Sequence, residues 1–585
     1  MTKTKKIPER PNSDSKISIQ EISLPKGGGA VTSVGDSFQT NLFSGTGSYS
    51  IPLPITSARG LEPQLQLAYD SSRGNSPFGL GFNVDVPYIG IILRNGIPLY
   101  NGKEKYAFNE GVEFVPLTET LHGETTIVRR QDTDNNITYT VTSYLQQEEE
   151  AFMLIEQWQD DASENIFWKT ISSDNQVTIY GKSADTFIVN PAEPTQVCRW
   201  LIESVTDSKG NKIKFSYKRE NEENIPDDIN KAGHNYDTQL YLHIVQYGNY
   251  FDVQQQEQWA FQLVFNYGEY DLPKNGQAYF PAYTPVRTWP ARRDCFSTFR
   301  AGFEVRTCRL CRSILLFHSF TELGTAAMLV RALTLAHDET DIFSFVTSVQ
   351  QFGYRLNSDH TWWVSGAAAA TFSYTSFTPP PAPDFKQLLV YEGGKIPGGQ
   401  NNYMPVDLYG EGLPGFLMSN STGTLYWQPL GNGVYDYPEA PDTFPSDRDL
   451  TTPGNLITDI DGNGQLELVV NEKERSGYYT KRDDDEGWNN FVEFRQRPPQ
   501  SSSSLEFEMA DLNGDGKTDM ISIGTEYVTY FRSNGTEGFA SPEERIKVKG
   551  LPCQPDSPNI NISFADVFGD GGQHRVSVLN GAVNV

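Results

Sequence analysis

The sequence predicts an all-β protein in two parts: a long, irregular β-rich region, then an array of propeller blades. Three observations carry this. A loop recurs in the last third of the chain as Asp407-Leu-Tyr-Gly-Glu-Gly412, Asp459-Ile-Asp-Gly-Asn-Gly464, Asp511-Leu-Asn-Gly-Asp-Gly516 and Asp566-Val-Phe-Gly-Asp-Gly571, its leading aspartates 52, 52 and 55 residues apart. A repeat of that length, built from short strands, is the sequence signature of propeller blades. Strand-like segments follow three of the loops (Leu466–Val470, Met520–Ile523, Arg575–Leu579), and aromatic pairs recur at Tyr426-Trp427, Tyr478-Tyr479 and Tyr530-Phe531. Third, 29 Tyr, 34 Phe, 50 Gly and 35 Pro supply strand formers and turns, while helical stripes are scarce. The best helical stripe runs from about Thr325 to Leu335.

Taken in order, residues 1–20 are polar and basic and read as a disordered arm. Residues 21–378 form the β-rich region, in which hairpin signals recur. Phe167–Gly181 is a strand, a turn at Asp174 and a strand, and Val205–Tyr217 repeats that pattern around Gly210. Gln246-Tyr-Gly-Asn249 and Asn266-Tyr-Gly-Glu269 read as strand ends. Many hairpins in series make a sheet that must curl or pack on another to hide its edges, so a shell or sandwich is expected. Residues 379–384 contain Pro379-Pro-Pro-Ala-Pro383, stiff and unable to join a ladder, and read as a linker. Residues 385–585 carry the four blade motifs.

At 585 residues the chain exceeds what one core usually serves. A net charge of −27 argues against nucleic acid, which is bound by basic surface. No stretch approaches the ~20 apolar residues of a membrane helix, and the N-terminus lacks the apolar run of a secretory signal. Five cysteines (Cys198, Cys295, Cys308, Cys311, Cys553) are too few and too scattered for a disulfide framework, which suits folding in a reducing cytoplasm. Cys308-Arg-Leu-Cys311 lacks the second pair a zinc site needs and reads as buried structural thiols on a strand.

The loops are the candidate metal sites. In the third, Asp511, Asn513, Asp515 and Asp519 occupy positions 1, 3, 5 and 9 around Gly516; oxygen ligands on alternate residues bent round a glycine suit Ca²⁺. The second, with Asp459, Asp461, Asn463 and Glu467, ranks just behind it. Tyr409 and Phe568 replace the position-3 ligand in the first and fourth loops, which read as metal-free turns. Such an ion would fasten a blade rather than perform chemistry. Glu506-Phe-Glu508 has the spacing of a transferase glutamate pair but none of its companion motifs, and Gly27-Gly-Gly29 lacks the Lys-Ser/Thr of a phosphate loop. No catalytic residue is assigned.

Leu24-Pro-Lys-Gly-Gly-Gly-Ala30, Gly47-Ser-Tyr-Ser-Ile-Pro-Leu-Pro-Ile55, Arg59-Gly-Leu-Glu-Pro63, Leu67-Ala-Tyr-Asp-Ser-Ser72 and Asn75-Ser-Pro-Phe-Gly-Leu-Gly-Phe82 together resemble the opening of the SpvB / insecticidal toxin-complex B-component family. Val245-Gln-Tyr-Gly-Asn249 and Arg309–His318 extend the likeness to the proline segment, and the aspartate-glycine loops resemble the toxin-complex B propeller. The resemblance implies an SpvB-type domain followed by a partial FG-GAP/VCBS-like β-propeller. It also implies a non-enzymatic subunit that forms part of a casing, docks on a pore-forming A component and delivers a toxic C component. Such a subunit is made in the bacterial cytoplasm and released without a standard signal peptide. Two other classes compete: a free-standing propeller adhesin or scaffold binding protein or glycan, and an SpvB-like effector without its ADP-ribosyltransferase domain. Residues 407–585 hold three to four blade lengths, so the reading is the front part of a larger B component with an open ring. The rival is a four-blade ring completed by strands from residues 385–406.

Overall fold

The computed structural model describes residues 38–584 except 42–44, 94–95, 99, 122–123, 148–151, 227–233, 321–322, 324–326, 376–386, 392–402, 411, 421–422, 442–443, 446–449, 451–454, 473–474, 483–486, 498–505, 524–526, 541–544, 548–559, 568–572 and 580–581. The expected arm at 1–20, the Gly27–Gly29 turn, the 379–384 linker and Cys553 lie outside the described residues. Among the described residues the regular secondary structure is almost wholly strand, with short 3-10 turns at Ala184–Thr186 and Gly535–Glu537.

The first part is dominated by an 18-stranded sheet running from Tyr88–Ile91 to Ala370–Thr371, with a four-stranded meander from Gln39–Thr40 to Phe82–Val84 beside it. Part of the large sheet closes on itself. Tyr88–Ile91 pairs with Tyr106–Phe108 and with Glu193–Thr206; Phe114–Pro116 pairs with Ile137–Gln146. The ladder then passes through Met153–Asp160, Ile166–Ser172 and Val177–Tyr180 back to Glu193–Thr206. A bridge between Ala107 and Glu113 completes the circuit. Closure hides sheet edges, which meets the edge problem posed by serial hairpins. Trp168 and Trp200 fill the interior, in edge-on contact with Tyr106 at 5.0 and 5.8 Å. From Glu193–Thr206 the sheet runs on as a long meander through Lys212–Arg219, Leu240–Phe251, Glu257–Asn266, Ser313–His318, Met328–Glu339 and Ser344–Leu356.

The structure corrects several local expectations. The stripe at 325–335 is not a helix: Met328–Glu339 is a strand paired on both sides. Its apolar residues satisfy a helical period by chance, and two waiting neighbours decide the backbone. The Gln246–Asn249 segment is not a strand end, because its strand continues to Phe251. Residues 308–312 are not strand but link Val305–Thr307 to Ser313–His318. Cys308 is not a free thiol. The hairpin Phe296–Thr298/Val305–Thr307 brings Cys295 and Cys308 to a Cα separation of 4.6 Å, and they form a disulfide, while Cys198 and Cys311 are free and buried.

Two fully buried ion pairs hold this part together. Arg309 Nε donates to Glu220 Oε1 at 2.6 Å, and its remaining nitrogens donate to the carbonyls of Asn221, Glu223 and Trp289. The other Glu220 oxygen accepts from Tyr241 Oη and from the Cys308 amide. Arg292 is paired with Asp294 and donates to Ser76 O and Asn75 Oδ1, while Ser344 Oγ and Asn75 Nδ2 donate to Asp294. Every charge here has several partners, the condition under which a buried ion is tolerated.

The second part is a series of small antiparallel meanders. Tyr403–Val406, Gly415–Asn420 and Gly423–Trp427 form the first blade, and a short strand at Leu389–Val390 pairs in parallel with Val434–Tyr435 close to it. Asn455–Thr458, Glu467–Asn471, Ser476–Tyr479 and Val492–Glu493 form the second. Glu506–Ala510, Asp519–Ile523, Tyr527–Phe531 and Arg545–Lys547 form the third, and Ile560–Ala565, His574–Leu579 and Ala582–Asn584 a fourth. Strand alternation lets one blade serve two neighbours. Leu468, Val470 and Tyr479 pack with Leu417 and Tyr426 of the first blade; Val469 and Tyr478 pack with Met520 and Phe531 of the third.

Candidate functional site

Each aspartate-glycine loop joins the first and second strands of its blade. In the second, Asp459 caps the turn: Oδ1 accepts from the amides of Gly462 (2.7 Å) and Asn463 (3.2 Å), and Oδ2 from Gly464 (2.7 Å). Gly462 and Gly464 sit at φ 77° and 85°, where a side chain would be strained. Asp461 Oδ1 accepts from the Asn463 amide, and Asn463 Oδ1 turns outward to the Gln465 amide. Glu467 opens the next strand, reaches back to accept from the Ile460 amide at 3.0 Å, and is 2% exposed. Carboxylate oxygens of Asp459, Asp461 and Glu467 lie within 4.8 Å of one another. Burial, with Asp461 and Asp459 adding repulsion, pushes the Glu467 carboxyl up to about 7.

The third loop has the same backbone, Asp511 accepting from the amides of Gly514, Asp515 and Gly516. Its side chains are already committed. Arg532 pairs with Asp515 at 3.4 Å, and Asn513 Nδ2 donates to Asp515 and to Tyr530 Oη. Asp519, fully buried, accepts from the Leu512 and Ser533 amides and from Tyr530 Oη. Burial raises the Asp511 carboxyl and raises Asp519 to about 6. In the first loop Lys481 donates to Leu408 O at 2.9 Å and lies 4.5 Å over the Tyr409 ring. Residues 568–572 of the fourth loop lie outside the described residues.

The loops therefore differ in their source of positive charge. Lys481 serves the first and Arg532 the third, whereas among the described residues no ion pair is formed by Asp459, Asp461 or Glu467. Ligand spacing ranks the third loop first; the side chains leave the second loop, and not the third, without a countercharge from the described residues. The signal was one residue long: Arg532 directly follows the pair Tyr530-Phe531, whereas Thr480 follows Tyr478-Tyr479. The second loop is also seated on the third blade, since Thr518 Oγ1 bonds to Asp459 O (3.0 Å) and Thr458 Oγ1 (2.6 Å). The Glu506-Phe-Glu508 pair lies on the first strand of the third blade, laddered to its neighbour.

A second feature was not foreseen. A strap at residues 96–98 meets the third loop, where the Ile97 amide donates to Asn513 O at 3.0 Å. Gly96 lies so close that a Cβ there would stand 2.9 Å from Asp515 Cβ.

A closed β sheet followed by a series of small blade-like meanders defines an all-β class of protein. Residues 41–320 match the family model described as Salmonella virulence plasmid 65kDa B protein, SpvB, so the chain carries a domain of that type. It is 33% identical over 348 residues to a mono(ADP-ribosyl)transferase SpvB of Salmonella choleraesuis, a match covering 57% of this chain and 57% of that protein. The chain thus spans little more than half the length of the curated relatives it matches, and it matches their N-terminal region rather than the catalytic domain. Among solved structures, it is similar to a chain of the Photorhabdus luminescens Tc holotoxin pore, with 31% identity and a TM-score of 0.78 over 97% of this chain and 26% of that one. A TcdB2-TccC3 crystal structure matches at 26% identity and TM-score 0.58, over 96% of this chain and 32% of that one. Among the described residues no helix is long and apolar enough to cross a membrane.

Proposed function

We propose that this chain acts as a non-enzymatic toxin-complex B-type subunit. Residues 21–378 form part of a casing; residues 385–585 contribute to the propeller that docks on a pore-forming A component, with a C component as the delivered cargo. The observation that carries this is the single alignment running through both parts, 97% of the chain, onto a holotoxin component at 31% identity. Synthesis in the bacterial cytoplasm and release without a standard signal peptide go with that role. The test is reconstitution. The chain, co-expressed with toxin-complex A and C components, is expected to co-elute with them on size exclusion. Binding to cell surfaces with no affinity for either component would replace this reading with the adhesin one.

Calcium belongs to the same proposal. Asp459, Asp461, Asn463 and Glu467 would hold one ion and fasten the second blade to the third, with Asp511, Asn513, Asp515 and Asp519 as the weaker site. The division at 379–384 is likewise proposed: limited proteolysis is expected to cut there first and leave two resistant pieces. First cleavage within 100–350 would remove that boundary.

A further inference from the structure

The Cys295–Cys308 disulfide closes the base of the hairpin Phe296–Thr298/Val305–Thr307, and what that hairpin touches gives the bond a consequence. At its tip, Ala301 O accepts from Tyr100 Oη at 2.7 Å, and Gly302 lies against Ile97, a Cβ there being 3.2 Å from Ile97 Cγ2. Ile97 is the residue whose amide donates to Asn513 O in the third blade's loop. Phe299 and Arg300 line, with Leu93, Leu512, Gly514 and His574, a cavity of about 160 Å³ between the two parts. Hairpin tip, strap and blade loop thus form one joint.

The base of the hairpin sits between the two buried ion pairs. The Arg292 amide donates to Cys308 O at 2.9 Å, and the Cys308 amide donates to Glu220 Oε2 at 3.0 Å. Cys295 follows Asp294 directly. The disulfide is therefore a covalent tie between two fixed points, and it restricts the thirteen-residue step between them.

We propose that the Cys295–Cys308 disulfide is a redox-sensitive staple that holds the joint between the shell and the third blade. A dithiol donor opens it. The donor thiolate attacks the half-buried Cys295 sulfur, the S–S bond breaks, and Cys308 leaves as a thiolate that takes a proton. The donor's second thiol then attacks the mixed disulfide, releasing Cys295 as a thiol and closing the donor's own disulfide. Two electrons and two protons pass from donor to protein. Once opened, the hairpin loses its covalent closure and is anchored only by non-covalent contacts: the packing of Ala301, Phe303 and Val305 against Ile188 and Leu240, and hydrogen bonds from Tyr100, Asn235 and Gln239. The tip then holds the strap less firmly against the loop.

Full-length protein purified in air, alkylated and mapped by mass spectrometry is expected to show Cys295 and Cys308 joined. Dithiothreitol is then expected to speed hydrogen exchange at residues 296–302 and at the Ile97 amide by about tenfold or more, with the Met328–Glu339 strand unchanged. Cys295→Ser is expected to show the faster exchange without reductant and no response to it. If that variant does not fold, the wild-type reduction series decides alone. Free alkylation of both cysteines in the folded, unreduced protein overturns the proposal. So does reduction that leaves Ile97 and 296–302 unchanged.

Discussion

The shell and the blades bury acidic groups in opposite ways. In the shell, Glu220 faces an arginine and three further donors and Asp294 an arginine and two, so the charge is neutralised by the chain itself. In the second blade, Asp459, Asp461 and Glu467 converge with backbone amides as their donors and no cation from the described residues. These two shell acids thus have their countercharge within the chain, whereas among the described residues the second blade's loop has none. The first and third loops close that gap with Lys481 and Arg532, so among the described residues the deficit is not a property of the repeat.

The largest expected effect separates the two regimes directly. Glu220→Ala leaves Arg309 as an uncompensated buried cation and is expected to cost about 3–5 kcal/mol in urea unfolding. Asp461→Ala in calcium-free buffer removes one of three mutually repelling carboxylates and is expected to change stability by less than about 0.5 kcal/mol. Equal losses in the two variants would break the comparison.

Calcium sharpens it. With affinity on the order of 10⁻⁴–10⁻³ M, as in extracellular modules, saturation at a hundredfold excess over Kd would stabilise the blades by about 2.7 kcal/mol. The measurement is the melting temperature with calcium and with chelator. Asp461→Ala is expected to abolish the calcium response, while Asp515→Ala, which frees Arg532, Asn513 Nδ2 and the Lys517 amide in the third loop, is expected to retain most of it. An unchanged melt on chelation would remove the ion from the account.

Much of this fold was readable because strands advertise themselves through local alternation and turns. The Phe167–Gly181 and Val205–Tyr217 hairpins and the blade strands fall on the segments that the pattern marks. Alternation gives a strand's faces but not its partners, so the closure of the sheet from Tyr88–Ile91 round to Glu193–Thr206 was not legible. Nor was the Met328–Glu339 strand, whose Leu329, Ala332 and Leu333 fit a helical stripe equally well until two neighbours supply the ladder. The disulfide joins residues 13 apart and the Arg309–Glu220 pair residues 89 apart; Arg292 and Asp294 are near neighbours in sequence, but their further partners Ser344, Ser76 and Asn75 lie 50 to 219 residues away, and alternation and turns carry no sign of these pairings. At the second loop Asp459, Asp461 and Glu467, marked by spacing, converge, while Asn463, marked with them, turns its Oδ1 to the Gln465 amide; the guanidinium of Arg532 in the third loop is something spacing does not register.

The smallest effect concerns protons, and its sign differs between the two regimes. Burial raises the folded-state Glu467 carboxyl from its ordinary value to about 7, with Asp461 and Asp459 contributing. A raised acid binds its proton more tightly when folded, so its stabilisation is fully present below about 4.5 and is lost as pH rises through about 7. Without calcium the second blade is therefore expected to lose on the order of 1–2 kcal/mol between pH 5 and 7.5, after allowing for screening on the loop's solvent side. Asp294 runs the other way. Although burial raises it, the Arg292 pair and its hydrogen bonds hold it below the usual carboxylate range, so its contribution is present above the unfolded value near 3.8 and fades on acidification. Calcium needs the ionised Glu467, so its stabilising effect should grow over the interval in which the calcium-free blade weakens. Urea titrations at pH 5 and 7.5, with and without calcium, test this, and Glu467→Gln should flatten the calcium-free pH dependence. A calcium-free blade that grows more stable as pH rises from 5 to 7.5 would show that its carboxylates, like those of the shell, already have their countercharge within the chain.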